Sequence, residues 1–431
     1  MGKLFLIALL EQGFPGPIYP VHPTAKAIDG IKAYPSISAV PDPVDLAIIL
    51  VPHHQALPVV KQCGEKGVKA AVLFTAGYKE TGTAKGRHLE NELARTARSA
   101  GMRLFGPNCM GLYCPKSGLS FFPQLSTEPG SVAFVSHSGS LANILGHVAG
   151  EQGIRFSKAV SLGNECDVAT WEMLEYLADD PDTRVIGAYI EGIKEGQRFA
   201  AALKKASSRK PVLLWKVGLT AEGGRAASSH TGAMAGSRTI WEAVVRQGRA
   251  VSVVGIEELM DGLMGFSMLP ERLGDRMAIL SGPGGLAVSA AEAVGNAGLK
   301  LAELSADTRA ELAKFVPPTG TSLMNPVDVG LSASIEMEIY VRAARALAAD
   351  PGVDAVVVAG AGLSPDTNRV YTDSMIQART DYGKPFVMVN IPGFDRQYAR
   401  EMLDAGLPFF ESAERAMNVY GKVRDYQIRK R

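Results

Sequence analysis

Short apolar runs that recur along the chain, each separated from the next by helically spaced residues, constrain its fold more than any other feature. Residues 46–51 and 70–74 are such runs, with helical spacing over 55–66 between them. A strand apolar on both sides must be covered on both faces. Strands joined by helices run parallel, so the chain is expected to build α/β units with covered parallel sheets. Residues 18–21 read as a further strand. Ligands bind such sheets beyond the carboxyl ends of the strands. Those ends carry Val51 and Pro52, then Thr75, Ala76 and Gly77, then Gly106, Pro107, Asn108 and Cys109. All are small or rigid and let a ligand approach the backbone, although each taken singly fits a plain strand-to-helix turn equally well.

A polar, proline-bearing stretch over 115–130 marks a boundary near residue 128. The second unit opens with an apolar strand at 131–135, the turn Ser136-His137-Ser138-Gly139-Ser140, and a helix from Leu141. Free N–H groups at such a helix start make an anion site, to which serine hydroxyls add donors. A serine helix cap is the simpler alternative. There is no G-K-[ST] and no G-x-G-x-x-G, so this is neither a P-loop nor a dinucleotide fingerprint. Further strands fall at 159–162, 185–190 and 212–216, with Glu191 just beyond the second. A lone acid there serves equally well as a cap or an ion-pair partner.

Residues 277–287 repeat the layout of 132–142, with Gly284 and Gly285 opening the repeated helix. Strands at 353–358 and 385–389 continue that sheet, and Asn325-Pro326-Val327-Asp328 punctuates it. The expected organisation is thus three units, 1–128, 129–268 and 269–431, the last two echoing each other.

His230 stands in a run of glycine, alanine and serine over 228–237. Little there fills a core; the run suits a backbone that bends or is closely approached. Near neutral pH a free imidazole is mostly an unprotonated nucleophile. A loop histidine without a role is the competing reading.

Bulk composition excludes several classes. Lys plus Arg number 45 and Asp plus Glu 44, so the net charge of +1 gives no electrostatic reason to expect nucleic acid or an acidic membrane. The basic run 424–431 reads as a solvated helix end. Four cysteines without a C-x-x-C pair point away from a disulfide framework or zinc site and fit a reducing cytoplasm. The apolar start is short, is followed at once by Glu11 and Gln12, and has no cleavage site, so it reads as an amphipathic helix. No run approaches the ~18 apolar residues of a membrane span.

Taken in order, these motifs resemble the α part of the ADP-forming (NDP-forming) acyl-CoA synthetases and, more distantly, the α subunit of succinyl-CoA synthetase. The resemblance rests on Gly13-Phe14, Tyr19-Pro20-Val21, Gly106-Pro107-Asn108-Cys109, Ser136-His137-Ser138-Gly139, Ser161-Leu162-Gly163-Asn164, Tyr189-Ile190-Glu191-Gly192, Ser229-His230-Thr231-Gly232 and Asn325-Pro326-Val327-Asp328. It implies a Rossmann-like CoA-binding domain and two flavodoxin-like ligase domains. It also implies that His230 is transiently phosphorylated, that Glu191 bonds the other ring nitrogen, and that Ser138, Gly139 and Ser140 hold the phosphate, with Gly284 and Gly285 a second candidate phosphate turn. CoA would lie along Val51, Pro52, Thr75, Ala76, Gly77, Pro107 and Asn108. The other participants implied are a small carboxylic acid or its acyl-CoA, phosphate, and Mg-ATP or Mg-ADP held mainly by a separate ATP-grasp β subunit. No metal is expected in this chain, and a homodimer or heterotetramer is.

The chain departs from the family pattern in three places. Its start falls inside what would be the first helix, so the usual opening strand and glycine turn are not seen. His22-Pro23-Thr24 stands where the family has Asn-Pro-Lys, removing a cationic contact to CoA. Asn143 stands where the succinyl enzyme has a tyrosine near its acyl substrate, so succinate is not implied, and acetate, a branched acid or an aryl acid remain open. The rival reading is a catalytically inactive CoA- or acyl-CoA-binding or regulatory protein. A dinucleotide-dependent oxidoreductase fits less well, because its glycine fingerprint and ribose-binding acid are missing.

Overall fold

The structure is a computed structural model. It describes residues 2–227 and 236–430, together with the backbone of 228–231. Two compact units are formed, residues 1–150 with 154–259, and residues 151–153 with 260–431. Among the described residues no helix is long and apolar enough to cross a membrane.

The first unit opens with α1 (Gly2–Glu11) and a minimal antiparallel pair, β1 (Ala27–Ile28) with β2 (Ile31–Lys32). A three-stranded parallel sheet follows, built from β3 (Leu46–Ile49), α2 (His53–Lys66), β4 (Ala70–Leu73), α3 (Ala84–Ser99) and β5 (Arg103–Phe105). Gly67 stops α2 in the left-handed conformation at φ 80°, and the Thr83 hydroxyl caps α3 by accepting from Gly86 N–H at 3.0 Å. The expected strand at 18–21 is not formed. Only an isolated bridge, Val21 with Tyr34, lies there, because Pro20 has no N–H to give a ladder and contributes only its carbonyl to Tyr34.

The second sheet of this unit contains β6 (Leu112–Tyr113), β7 (Val132–Ser136), β8 (Phe156–Ser161), β9 (Val185–Ile190), β10 (Val212–Lys216) and β11 (Val251–Val253). Its order is β11-β10-β9-β7-β8-β6, parallel except for β6, which runs antiparallel to β8. Unlike the all-parallel expectation, the sheet is therefore edged by an antiparallel strand drawn from ahead of the polar 115–130 stretch. The helices are α4 (Gly139–Glu151), α5 (Thr170–Asp179), α6 (Gly196–Arg209), α7 (Ala221–Thr231) and α8 (Arg238–Gln247). Every residue of β7 is buried, as a central strand covered on both faces requires. Each fully buried Val, Leu or Ile of this core contributes about 1.5–3 kcal/mol. The parallel strands follow the doubly wound order 2-1-3-4-5, which places a topological switch point, and its crevice, at the carboxyl ends of β7 and β9.

Helix α9 (Gly255–Met268) leads into the second unit, whose strands are β12 (Arg276–Ser281), β13 (Lys300–Leu301), β14 (Val327–Asp328), β15 (Ala355–Ala359), β16 (Phe386–Val389) and β17 (Phe409–Phe410). They lie in the order β13-β12-β15-β16-β17, with β14 against the carboxyl end of β12, all parallel. This is the same 2-1-3-4-5 winding, so the echo between 132–142 and 277–287 is one of fold as well as of sequence. The hydrogen bonds repeat too. Ser136 Oγ donates to Ser138 O at 2.7 Å, and Ser281 Oγ to Pro283 O at 3.0 Å. The helix end carrying 424–430 is less solvated than its charge suggests, since Arg424 pairs with Asp275 at 3.1 Å.

Candidate functional site

The carboxyl edge of the first sheet brings Val51, Thr75 and Asn108 into one chain of hydrogen bonds. Thr75 Oγ1 donates to Val51 O at 2.6 Å, and Asn108 N–H donates to Thr75 O at 3.1 Å. Pro52 and Ala76 are exposed on the same edge. Asn108 is left-handed at φ 59°, which asparagine tolerates better than most residues. Gly77 differs from the expectation of open backbone. Its N–H donates to Glu80 Oε1 at 2.5 Å, Tyr78 N–H donates to the same oxygen at 3.1 Å, and a side chain at Gly77 would meet the His53 ring at 2.8 Å. That turn is organised internally, by an acid three residues on.

At the switch point of the second sheet, the turn after β7 feeds α4. Ser138 Oγ caps this helix by accepting from Leu141 N–H at 3.3 Å and lies 3.3 Å from Ser140 Oγ. Helix geometry leaves the N–H groups of Gly139 and Ser140 without intrahelical acceptors. One turn further on, Asn143 Oδ1 is buried without a hydrogen-bond partner, the kind of orphan that marks room for another group.

Across the crevice, Glu191 is 4% exposed at the end of β9. Burial and the neighbouring Glu191 carboxylate both push the Tyr189 hydroxyl well above its ordinary pKa. Lys216, at the end of β10, donates to Glu191 O at 3.0 Å, and burial pulls its ammonium pKa down.

His230 falls outside the residues whose side chains are described, but the chain on either side of its segment is placed. Ala227 is buried, and a Cβ on Gly218 would lie 3.4 Å from Ala227 Cβ and 3.9 Å from Glu191 O. Beyond the segment, Gly236 N–H donates to Gly218 O at 3.3 Å, and a Cβ at Gly236 would lie 4.0 Å from Lys216 Nζ. Ala227 and Gly236, the described residues on either side, thus both lie at the turn after β10, next to Glu191. Helix α7, which ends at Thr231, packs against the turn Lys79–Thr81 at the edge of the first sheet.

Gly284 and Gly285 open α10 (Gly284–Asn296) in the second unit. There Asp328 Oδ2 would lie 2.7 Å from a Cβ on Gly284, a poor neighbour for a phosphate. Strand pairing makes Ser281 and Ala359 the counterparts of Ser136 and Tyr189. Gly282 and Ala361 then stand where the first unit has His137 and Glu191.

A polar web that no local sequence pattern announces lies beside the crevice, with Asn164 and Glu90 buried. Asn164 donates to Glu80 at 2.5 Å and to Glu90 at 2.8 Å. Lys194 Nζ donates to the carbonyls of Asn164 and Glu165 at 2.6 Å each. A cavity of about 280 Å³ lies alongside, lined by Glu90, Arg98, Glu165, Thr170, Trp171 and Lys194 among others. The nearest signal is the motif Ser161-Leu162-Gly163-Asn164, whose polar end has no place in a core.

Asp167 ties this web to the first sheet. It accepts from Arg98 Nε at 2.7 Å, Arg103 Nε at 2.9 Å and Leu104 N–H at 2.9 Å. Burial pushes its carboxyl up, but these donors outweigh burial and hold the pKa below the ordinary value. A depressed folded-state pKa stabilises the fold at pH above the unfolded value, about 3.9, and the contribution is lost as pH falls through the folded value. Asp167→Asn is therefore expected to cost about 2 kcal/mol at pH 7. The gap from wild type should narrow in urea melts run near pH 3. An equal gap at both pH values would mean the charge is not what Asp167 contributes.

Comparison with known proteins places these features in a family. Residues 2–115 match the CoA binding domain, 129–266 the succinyl-CoA ligase like flavodoxin domain, and 277–370 the ligase-CoA domain. The chain is 38% identical over 407 residues to the acetate–CoA ligase [ADP-forming] II subunit alpha of Pyrococcus furiosus, covering 93% of this chain and 87% of that one. It is 36% identical to acetate–CoA ligase [ADP-forming] II of Archaeoglobus fulgidus, of whose length it spans 63%. The dinucleotide forming acetyl-coenzyme A synthetase 1 of Ca. Korarchaeum cryptofilum, solved with phosphate and ADP, superposes with a TM-score of 0.87 at 34% identity, covering 99% of this chain and 93% of that one. The chain belongs to the ADP-forming acyl-CoA synthetases, a family of acid–thiol ligases, and corresponds to their α part.

Proposed function

We propose that the chain is the α subunit of an ADP-forming acyl-CoA synthetase that interconverts acyl-CoA, phosphate and ADP with acid, CoA and ATP. The observation that carries this reading is the convergence at one switch point. The anion-ready start of α4, the carboxylate of Glu191 and both anchors of the His230 segment meet around the ends of β7, β9 and β10.

The reaction runs in three displacements. A phosphate oxygen attacks the thioester carbon and the C–S bond breaks, giving acyl phosphate, while the departing thiolate takes up a proton as free CoA. An imidazole nitrogen of His230 then attacks phosphorus, and the P–O bond to the acyl group breaks to release the carboxylate. Finally a terminal oxygen of ADP attacks phosphorus, the P–N bond breaks, and ATP leaves. Ser138, Gly139 and Ser140 hold the phosphate by N–H and hydroxyl donors, and Glu191 accepts from the other ring nitrogen of His230, aiming its lone pair. Such positioning and charge stabilisation are most of what phosphoryl transfer needs. CoA lies along Val51, Thr75 and Asn108, and the acyl group reaches toward Asn143. ADP and Mg²⁺ are held by a separate ATP-grasp chain, and His230 moves between the two places. A histidine that travels suits a segment of small residues with little packing to break.

The test is chemical. The chain incubated with acetyl-CoA or feruloyl-CoA and ³²P-phosphate is expected to take up about one label, acid-labile and base-stable as a phosphohistidine is. A label stable in acid, or none from either thioester, overturns the reading.

A further inference from the structure

We infer that His137 is a positioning residue for Glu191, and that a buried relay through Thr170 and Glu165 fixes its tautomer for that task. This rests on the proposed role of Glu191 and adds a residue to it.

The hydrogen positions follow from the partners. Glu191 N–H can only donate, and it points at His137 Nδ1 at 3.1 Å, so Nδ1 carries a lone pair. The carboxylate of Glu165 can only accept; its Oε1 takes Thr170 N–H at 2.6 Å and also the Thr170 hydroxyl hydrogen. With that hydrogen committed, His137 Nε2, 2.9 Å from Thr170 Oγ1 and 3.2 Å from Glu165 Oε1, must be the donor. The ring is thus neutral, protonated on Nε2, with its lone pair on the backbone of Glu191.

The relay is largely buried. His137 is 8% exposed, Glu165 8%, Thr170 5% and Glu191 4%. Glu165 is held in the left-handed region at φ 53°, an uncommon conformation for a residue with a side chain, and it aims the carboxylate at the relay. His137 also belongs to the phosphate turn itself, and its own N–H donates to Tyr189 O at 3.2 Å. One side chain therefore ties the anion-holding turn on β7 to the acid on β9. A shift of about 1 Å between groups that must align costs on the order of 10²-fold in rate. In the second unit, where Ala361 replaces the acid, Gly282 replaces the imidazole.

The test is a double-mutant cycle on the rate of ³²P uptake by the whole chain from acyl-CoA and ³²P-phosphate. His137→Leu is expected to slow uptake by about 10²-fold in the wild-type background and by less than about threefold when Glu191 is already Ala. His137→Asn leaves an oxygen able to accept from Glu191 N–H and should recover most of the loss. Hydrogen exchange at the Glu191 amide should quicken at least tenfold in His137→Leu and stay near wild type in His137→Asn. KM for acyl-CoA should not move. Losses that multiply independently of Glu191, or an unchanged Glu191 amide in His137→Leu, overturn the inference while leaving the phosphohistidine reading standing. A wild-type chain that takes up no label overturns both.

Discussion

His230→Ala is expected to reduce phosphoryl uptake by at least ~10³-fold, because no other group is proposed to form the covalent bond. The two halves of the reaction should come apart. Phosphate attack on the thioester uses the α4 turn, not His230, so phosphate-dependent release of free CoA thiol should persist at a reduced rate. Acyl phosphate should then accumulate and be trapped by hydroxylamine. The fold should survive, because the run 228–237 offers little side-chain volume to a core and its anchors at Ala227 and Gly236 are untouched. The readout is label stoichiometry beside thiol release, with thermal melting as control. A variant that labels as wild type does would remove His230 from the chemistry. One that loses both halves equally would show that the segment also builds the acyl-transfer site.

The parts of the fold legible in the sequence were those set by burial. Runs such as 132–135 and 212–214 are apolar because β7 and β10 are covered on both faces, and no other element suits that pattern at that length. The small-residue turns were legible for the same reason, since a helix start after a buried strand needs a compact entry. What could not be read was which distant segments meet. Nothing local to Asp167 announces Arg98 and Arg103, and nothing local to Glu80 announces Asn164. Periodicity says which face of an element is buried but not which loop crosses it. Glu191 was picked out by its place at a strand end. In the sequence a histidine between two serines looks like part of a turn, and only the fold, which sets β7 beside β9, brings its Nδ1 within 3.1 Å of Glu191 N. The 18–21 run failed for a local reason, since β-branched and aromatic residues favour a strand but Pro20 cannot donate to one.

Gly163 carries the second large expected effect, because at this residue the loop after β8 meets the turn after β5 of the other sheet. It is left-handed at φ +55°, and a Cβ there would lie 2.3 Å from Pro107 O and 2.4 Å from Asn108 O. Around it, Asn164 N–H donates to Pro107 O at 3.0 Å, Cys166 N–H to Gly106 O at 3.0 Å, and Met110 N–H to Ser161 Oγ at 3.1 Å. The Gly106–Cys109 turn proposed for CoA is thus laced to the loop that carries Asn164 and Glu165, and the lacing closes only over a bare Cα. Gly67 supplies the control. It too is left-handed, at φ +80°, but a Cβ there would meet nothing within 4 Å. Gly67→Ala should therefore cost only the conformational penalty, about 1 kcal/mol. Gly163→Ala adds a backbone clash that no rotamer relieves, and is expected to cost at least about 3 kcal/mol and to lower Tm by about 10 °C. Because the clash falls on Pro107 and Asn108, Gly163→Ala should also raise KM for acyl-CoA, which Gly67→Ala should leave alone. If the two alanine variants melt together and bind acyl-CoA alike, the approach of the two loops is not what holds the turn in place.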